Sequence, residues 1–237
     1  QFEVWAIGSV IGTTAGQMIA YSDADHPLSI DAPWKEADPS GSGFVSAPLS
    51  FALSCAAAGL ILNKAEERQA LINFFASTKG KKKWINTDGW KTEAEDHCGW
   101  FGITCNDEGS VIWISLPANG LKGTLSEDLA ALLTSLDYLD LNNNALRGPL
   151  PAALAALTSL DSLYLNHNDF ITGTIPELAA LTSLTRLNLG SNSLSGTIPA
   201  LAALSSLVIL SLYENELTGT VPELAGLVSL TVLARRL

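Results

Sequence analysis

The sequence predicts a solenoid of stacked parallel strands over residues 111–237, and three observations predict it. Asn119, Asn144, Asn168, Asn192 and Asn215 recur at intervals of 25, 24, 24 and 23 residues. Gly123, Gly148, Gly173, Gly196 and Gly219 follow at intervals of 25, 25, 23 and 23. Leu139 and Leu141, then Leu163 and Leu165 one copy later, alternate as a strand with one inward face should.

The shared frame is L-x-x-L-x-L-x-x-N-x-L-x-G-x-(L/I/V)-P, and its clearest copy is LTRLNLGSNSLSGTIP, starting at Leu184. Five copies start at Val111, Leu136, Leu160, Leu184 and Leu207, with a partial sixth from Leu230. Each Asn reads as a rung of an interior ladder, its amide bonding backbone groups that a tight turn leaves unpaired. Gly permits the turn after it, and Pro176, Pro199 and Pro222 stand where the chain leaves strand geometry. Stacking the copies builds a continuous core that one copy alone cannot build. The third copy carries an extra residue between Asn168 and Gly173, offset by one fewer between Pro176 and Leu181. Because the period survives, the insertion is expected in a convex-side loop.

The N-G-x-(L/I/V)-P portion resembles the plant-type leucine-rich repeat of receptor-like proteins, receptor-kinase ectodomains and polygalacturonase inhibitors. The stretch before the repeats extends the match. Residues 67–75, from Glu67 to Phe75, look like that family's cap helix, and Trp90 followed by Cys98-Gly99-Trp100-Phe101-Gly102-Ile103-Thr104-Cys105 looks like its cap motif. The resemblance covers about residues 65 to 237. It implies an α/β-type leucine-rich-repeat solenoid, with parallel strands on the concave face and an irregular or 3-10 convex side. In that family the pair corresponding to Cys98 and Cys105 is a disulfide, which implies an oxidising compartment. It does not specify a partner, because the scaffold serves many ligands.

Three regions follow: an N-terminal region over 1–63, a cap over 64–110 and the repeats over 111–237. The apolar fraction of 47% suits a Leu-rich core, and the net charge of −11 argues against a nucleic-acid partner. Lys79, Lys81, Lys82 and Lys83 make a local basic run, read as a solvated loop, while the repeats carry Glu127, Asp128, Asp137, Asp140, Asp161 and Glu223. The third cysteine, Cys55, reads as a small buried residue. No metal site is expected at the cysteine pair, since only His97 lies nearby and the spacing is not that of a zinc site. The absence of any N-x-S/T acceptor counts against the ordinary secretory route and leaves organellar, algal or bacterial settings open.

Residues 1–63 fall outside the repeat family and are expected to be mostly helical. Uncharged stretches over 4–21 and 44–63 flank an acidic loop over 22–43, and at 18 and 20 residues each is near the length needed to span a bilayer. Gly8, Gly12 and Gly16 share one helix face, where missing side chains let another helix approach closely. Together they predict a two-helix membrane anchor. The alternatives are a Gly-rich segment packed on the solenoid end, or a signal-peptide core over 44–63 ending at Ala56-Ala57-Ala58. If both stretches span, Lys64, Arg68 and the lysine run favour repeats on the cytoplasmic or stromal side, in conflict with a cap disulfide.

Nothing in the sequence supports catalysis. His26, His97 and His167 sit in no nucleophile, metal or general-base arrangement, and neither a G-x-S-x-G nor a Gly-rich phosphate loop occurs. No cofactor is expected. Function falls instead to the outward column Ser115, Asp140, Tyr164, Asn188 and Ser211, to Trp113, Tyr138, Arg186 and Ile209 before it, and to His167 and Tyr213 after it. Aromatic residues and arginine anchor protein interfaces, so Trp113, Tyr138, Asp140, Tyr164, His167, Arg186 and Tyr213 form the candidate partner-binding face. The bland alternative is that each is merely tolerated on a pleated surface. Arg235 occupies a core-leucine position in the last copy, so either Arg235 and Arg236 disrupt the final strand and serve as a crude cap, or a partner covers this end, or further residues belong there.

These readings point to a non-catalytic protein–protein interaction module, tethered as an accessory or assembly subunit of a larger membrane complex, photosynthetic or respiratory. Its partners would be membrane-complex subunits, and its location membrane-associated, in a thylakoid or similar organelle. The rivals are a ligand-binding ectodomain fragment of a receptor-like protein and a secreted enzyme inhibitor, at the cell surface or outside it.

Overall fold

The computed structural model describes residues 64–90, 96–127, 133–219 and 224–234, together with Leu129 and the pairs 19–20 and 45–46. In the N-terminal region β1 (Ile19–Ala20) pairs antiparallel with β2 (Val45–Ser46), Ile19 opposite Ser46 and Ala20 opposite Val45. These four residues are extended where the sequence predicts helix, in keeping with the strand preference of β-branched Ile19 and Val45. The remainder of 4–21 and 44–63, the loop over 22–43, Gly8, Gly12, Gly16 and Cys55 lie outside the described residues. No described helix is long and apolar enough to cross a membrane.

The cap opens with helix α1 over 64–77, followed by the short α2 (Gly80–Lys83). Ala70, Leu71, Phe74 and Phe75 lie one turn apart and form its buried face. They close over Trp84, Trp90 and Trp100 in an aromatic cluster, with centroids 4.9 Å apart for Phe75–Trp84, 4.7 Å for Trp84–Trp90 and 5.0 Å for Trp90–Trp100. Two of the three indole donors are met in place, Trp90 Nε1 by Phe101 O at 2.9 Å and Trp84 Nε1 by Thr78 O at 3.2 Å, whereas Trp100 Nε1 is buried without an acceptor among the described residues. Glu67 is buried, and its Oε2 accepts the Val111 backbone N–H at 3.0 Å, tying α1 to the first repeat strand. Such burial is tolerable only because the carboxylate finds a donor.

The repeats contribute one strand each to the concave sheet: β4 (Val111–Ser115), β6 (Tyr138–Asp140), β8 (Ser162–Tyr164), β10 (Arg186–Asn188), β12 (Ile209–Ser211) and β14 (Val232–Ala234). All pair in parallel, and β3 (Ile103–Cys105) of the cap adds an antiparallel edge against β4. The register is constant. Ile114, Leu139, Leu163, Leu187, Leu210 and Leu233 form the central column, and all but Leu233 are buried.

A second parallel sheet, which the sequence reading did not foresee, runs beside the first: β5 (Lys122–Gly123), β7 (Ala145–Pro149), β9 (Phe170–Gly173), β11 (Ser193–Gly196) and β13 (Glu216–Leu217). The convex side therefore holds 3-10 turn at Ala152–Ala156 and also this sheet. The third-copy insertion sits at the start of β9, in a strand of this second sheet where the sequence reading expected a loop. Ile171 takes the buried place held by Leu146 and Leu194 in neighbouring copies, and the extra residue leaves Phe170 60% exposed.

The asparagine ladder forms as expected. Asn168 Nδ2 donates to Leu141 O and Leu165 O at 3.0 Å each, and its Oδ1 accepts the Leu146 N–H at 3.0 Å. At the first copy the cap supplies the missing rung: Asn86 N–H donates to Asn119 Oδ1 at 2.7 Å, and Asn119 Nδ2 donates to Asn86 O at 3.0 Å. The residue before each rung, Ala118, Asn143, His167, Ser191 and Glu214, has φ between 49° and 56°. Five non-glycine residues thus hold a left-handed turn, each fixed by the rung that follows it.

Candidate functional site

The constant register sets two outward columns on the concave face. Trp113, Tyr138, Ser162, Arg186, Ile209 and Val232 align in one, and Ser115, Asp140, Tyr164, Asn188, Ser211 and Ala234 in the other. Because parallel strands lie only about 4.8 Å apart, bulky residues in adjacent copies must touch. Trp113 and Tyr138 meet edge to face at 4.5 Å between centroids, and Tyr138 and Tyr164 meet at 5.7 Å. Three rings from three successive repeats therefore form one row. Trp113 remains 45% exposed, and the two tyrosines are half-buried.

Asp140 is placed differently from the surface contact expected of it. It is nearly buried, and its Oδ1 accepts from Asn142 N at 3.0 Å and Asn142 Nδ2 at 2.6 Å, holding the turn after the strand. Its Oδ2 accepts the Tyr138 hydroxyl at 3.5 Å. Burial, the Asp140 charge and the neighbouring Tyr164 raise the Tyr138 phenol above its ordinary value, with Arg186 acting in the opposite sense. Tyr138 accordingly stays a neutral donor to Asp140.

Arg186 crosses toward the third repeat. Its Nη1 donates to Asp161 Oδ2 at 3.2 Å and to Thr185 Oγ1 at 3.2 Å. Asp161 also accepts from Thr185 Oγ1 and from Ser162 Oγ, each at 2.7 Å. Asp137 stands in the equivalent place one repeat earlier. Burial first, and then the like charge of Asp161, raise its carboxyl above the ordinary value. The sequence reading left these two aspartates ungrouped, although their shared place one residue before the strand in consecutive copies is the signal that groups them.

His167 and Tyr213 form a second contact beyond the rows. Tyr213 Oη and His167 Nε2 lie 3.2 Å apart across two repeats, with ring centroids 6.2 Å apart. Which group donates depends on the imidazole tautomer. This pair does not touch the ring row in any contact the described residues show.

In the cap, Cys98 and Cys105 form a disulfide with Cα atoms 5.5 Å apart. His97 lies beside it with its Nε2 3.7 Å from Glu67 Oε2, and its ring and the two sulfurs fall within 4.8 Å of one another. With the sulfurs bonded to each other, the cluster presents no thiolate pair to a metal.

Family models match along this frame. A leucine-rich-repeat model covers residues 113–170, a two-copy leucine-rich-repeat model residues 158–203, and a leucine-rich-repeat N-terminal-domain model residues 64–106. The LRR receptor-like serine/threonine-protein kinase RGI5 of Arabidopsis thaliana is 40% identical over 62 residues, which is 26% of this chain and 6% of that protein. The chain thus spans a small part of that relative's length. Among solved structures, the ectodomain of the receptor kinase SOBIR1 from Arabidopsis thaliana matches with a TM-score of 0.58 and 27% identity, over 72% of this chain and 90% of that one. A chain of the BIR3–SERK2 complex from the same plant matches at 0.54 and 32% identity, over 66% and 84%. With repeat models over the solenoid, an N-terminal-domain model over the cap and these likenesses across most of the described chain, the chain belongs to the plant-type leucine-rich-repeat family.

Proposed function

We propose that the chain is the ligand-binding part of a receptor-like ectodomain, a non-catalytic module that holds a protein or peptide segment on its concave face, at the cell surface or outside the cell. The observation that carries this reading is the row Trp113–Tyr138–Tyr164, three adjoining rings held partly in water by three consecutive strands. A row of this kind keeps apolar area hydrated that a partner would bury, and rings on rigid strands lose little entropy on binding. The likeness to a chain of the BIR3–SERK2 complex supports a protein partner. The reading as a tethered subunit of a membrane complex depends on 4–21 and 44–63, outside the described residues, and gains no support from the likenesses. Trp113, Tyr138, Tyr164, Arg186, His167 and Tyr213 are the proposed contact residues, with Asp140 positioning Tyr138.

A random peptide library displayed on phage, selected on the full chain, tests the assignment. The selected peptides should bind the parent chain and lose at least tenfold in affinity to the Tyr138→Ala, Tyr164→Ala double variant, with its unfolding still cooperative. Undiminished binding to that variant would rule out the concave row as the site.

A further inference from the structure

The charges around the ring row are unequal. Among the described residues of the first four concave strands and the positions just before them, the carboxylates are Asp137, Asp140 and Asp161, and the cation is Arg186. Arg186 is committed to Asp161 at 3.2 Å, leaving Asp137 and Asp140 without a cation of their own. The carboxyl of Asp137 meets no hydrogen-bond donor among the described residues, and it faces Asp161 closely enough for like-charge repulsion. Tyr138, at the centre of the row, is bonded to Asp140 and lies beside Tyr164. The rings and the carboxylates therefore make one surface, apolar along the row and negative around it.

We propose that this surface takes a cationic peptide segment, an arginine or lysine side chain lying on the Trp113–Tyr138–Tyr164 row with its charge met by Asp137 and Asp161, the nearly buried Asp140 adding its field behind Tyr138. This rests on the concave-face reading above and adds the chemistry of the occupant. A cation over ring faces is attracted by their quadrupoles, and more strongly where a partner excludes water. The same groups disfavour the other occupants. An acidic segment would face three carboxylates and one guanidinium already paired, and an uncharged apolar segment would strip water from Asp137 without supplying a counter-charge. Across three strands the row is about 10 Å wide, the reach of roughly three extended residues, so the segment crosses the strands.

The test is fluorescence anisotropy on the full chain, with a labelled decapeptide alternating glycine and arginine and with its glutamate and glutamine counterparts. The arginine peptide is expected to bind at least tenfold tighter than either counterpart, and to weaken as salt rises. Asp140→Asn with Asp161→Asn should weaken it at least tenfold. Glu177→Gln with Glu216→Gln, an equal charge change on the exposed outer surface, should alter it less than twofold. Arg186→Gln frees Asp161 and should tighten binding several-fold, a gain that misfolding cannot imitate. Equal affinity for the glutamine peptide overturns the proposal, as does an equal loss in the Glu177/Glu216 variant or weaker binding by Arg186→Gln. Library peptides that depend on the rings yet carry no cation would overturn this inference alone. Library peptides indifferent to the rings would overturn the concave-face reading as well.

Discussion

Gly190 lies beneath the ring of Tyr213, so close that a Cβ on it would fall 2.4 Å from Cε1 of the tyrosine. The missing side chain lets Tyr213 lie flat across the fourth repeat and reach His167 in the third, 3.2 Å from hydroxyl to imidazole. Glycine is required here for room, not for backbone freedom. A Gly190→Ala variant is expected to lift the tyrosine ring away and break its contact with His167, at a stability cost of about 1 kcal/mol from overpacking. A crystal structure of the variant checks this directly. A Tyr213–His167 contact unchanged at hydrogen-bond distance would contradict it.

The asparagine ladder makes a stronger demand. Asn168 is fully buried, and it serves two carbonyls and one N–H at once. Asn168→Ala leaves those groups without partners and should cost about 3 kcal/mol, at the level of unsatisfied buried backbone groups. Asn168→Asp keeps the shape but sets a carboxylate against the Leu141 and Leu165 carbonyls, so it should destabilise at neutral pH and recover part of the loss in acid. Urea denaturation at both pH values measures the two effects, and a stability loss under 1 kcal/mol for both variants would remove the ladder from its structural role.

Asp137 gives a pH dependence of definite sign. Its folded-state carboxyl is raised above the ordinary 3.8 by slight desolvation at its exposed position and by the like charge of Asp161. The folded chain therefore holds that proton more tightly than the unfolded chain, and this contribution to stability is complete below pH 3.8 and lost as pH rises through the folded value. Asp137→Asn should then stabilise the protein at pH 7, by under about 1 kcal/mol because the group is well exposed and screened. The gain should vanish in acid. Thermal melts across pH decide it, and a gain that persists in acid would point to a cause other than charge.

The cap disulfide closes a short loop, with Cys98 and Cys105 separated by 7 residues. Replacing both by alanine should cost about 2.5 kcal/mol on the chain-entropy estimate. In a solenoid each repeat contacts only its neighbours, so the loss should stay at the N-terminal end. Hydrogen exchange should rise over α1 and β3 and remain slow in β8 and β10. Uniform deprotection along the repeats would show that the cap and the repeats unfold as one unit.

How much the sequence foretells depends on the range of the interaction. The columns through Leu139 and Leu163 and the rungs at Asn144 and Asn168 repeat at one period, so counting alone places them. Residues facing outward on those strands, Trp113, Tyr138 and Tyr164, were legible for the same reason, since strand alternation fixes a face once the leucines are known. Asp140 was placed on the correct strand, but not in its hydrogen-bonded position. Its partner Asn142 lies in a turn whose left-handed residue, Asn143, carries no glycine to announce it.

The sequence by itself determined the repeat, the cap, the register of the concave sheet and the identity of the exposed ring row, because each follows from local periodicity. Only the tertiary structure decided the second parallel sheet, the position of Phe170 and the reach of Tyr213 over Gly190 to His167. Those depend on how far each copy is offset from the last when the coils stack. That offset is set by packing between residues some 23 to 46 positions apart, and no period within a single copy encodes it.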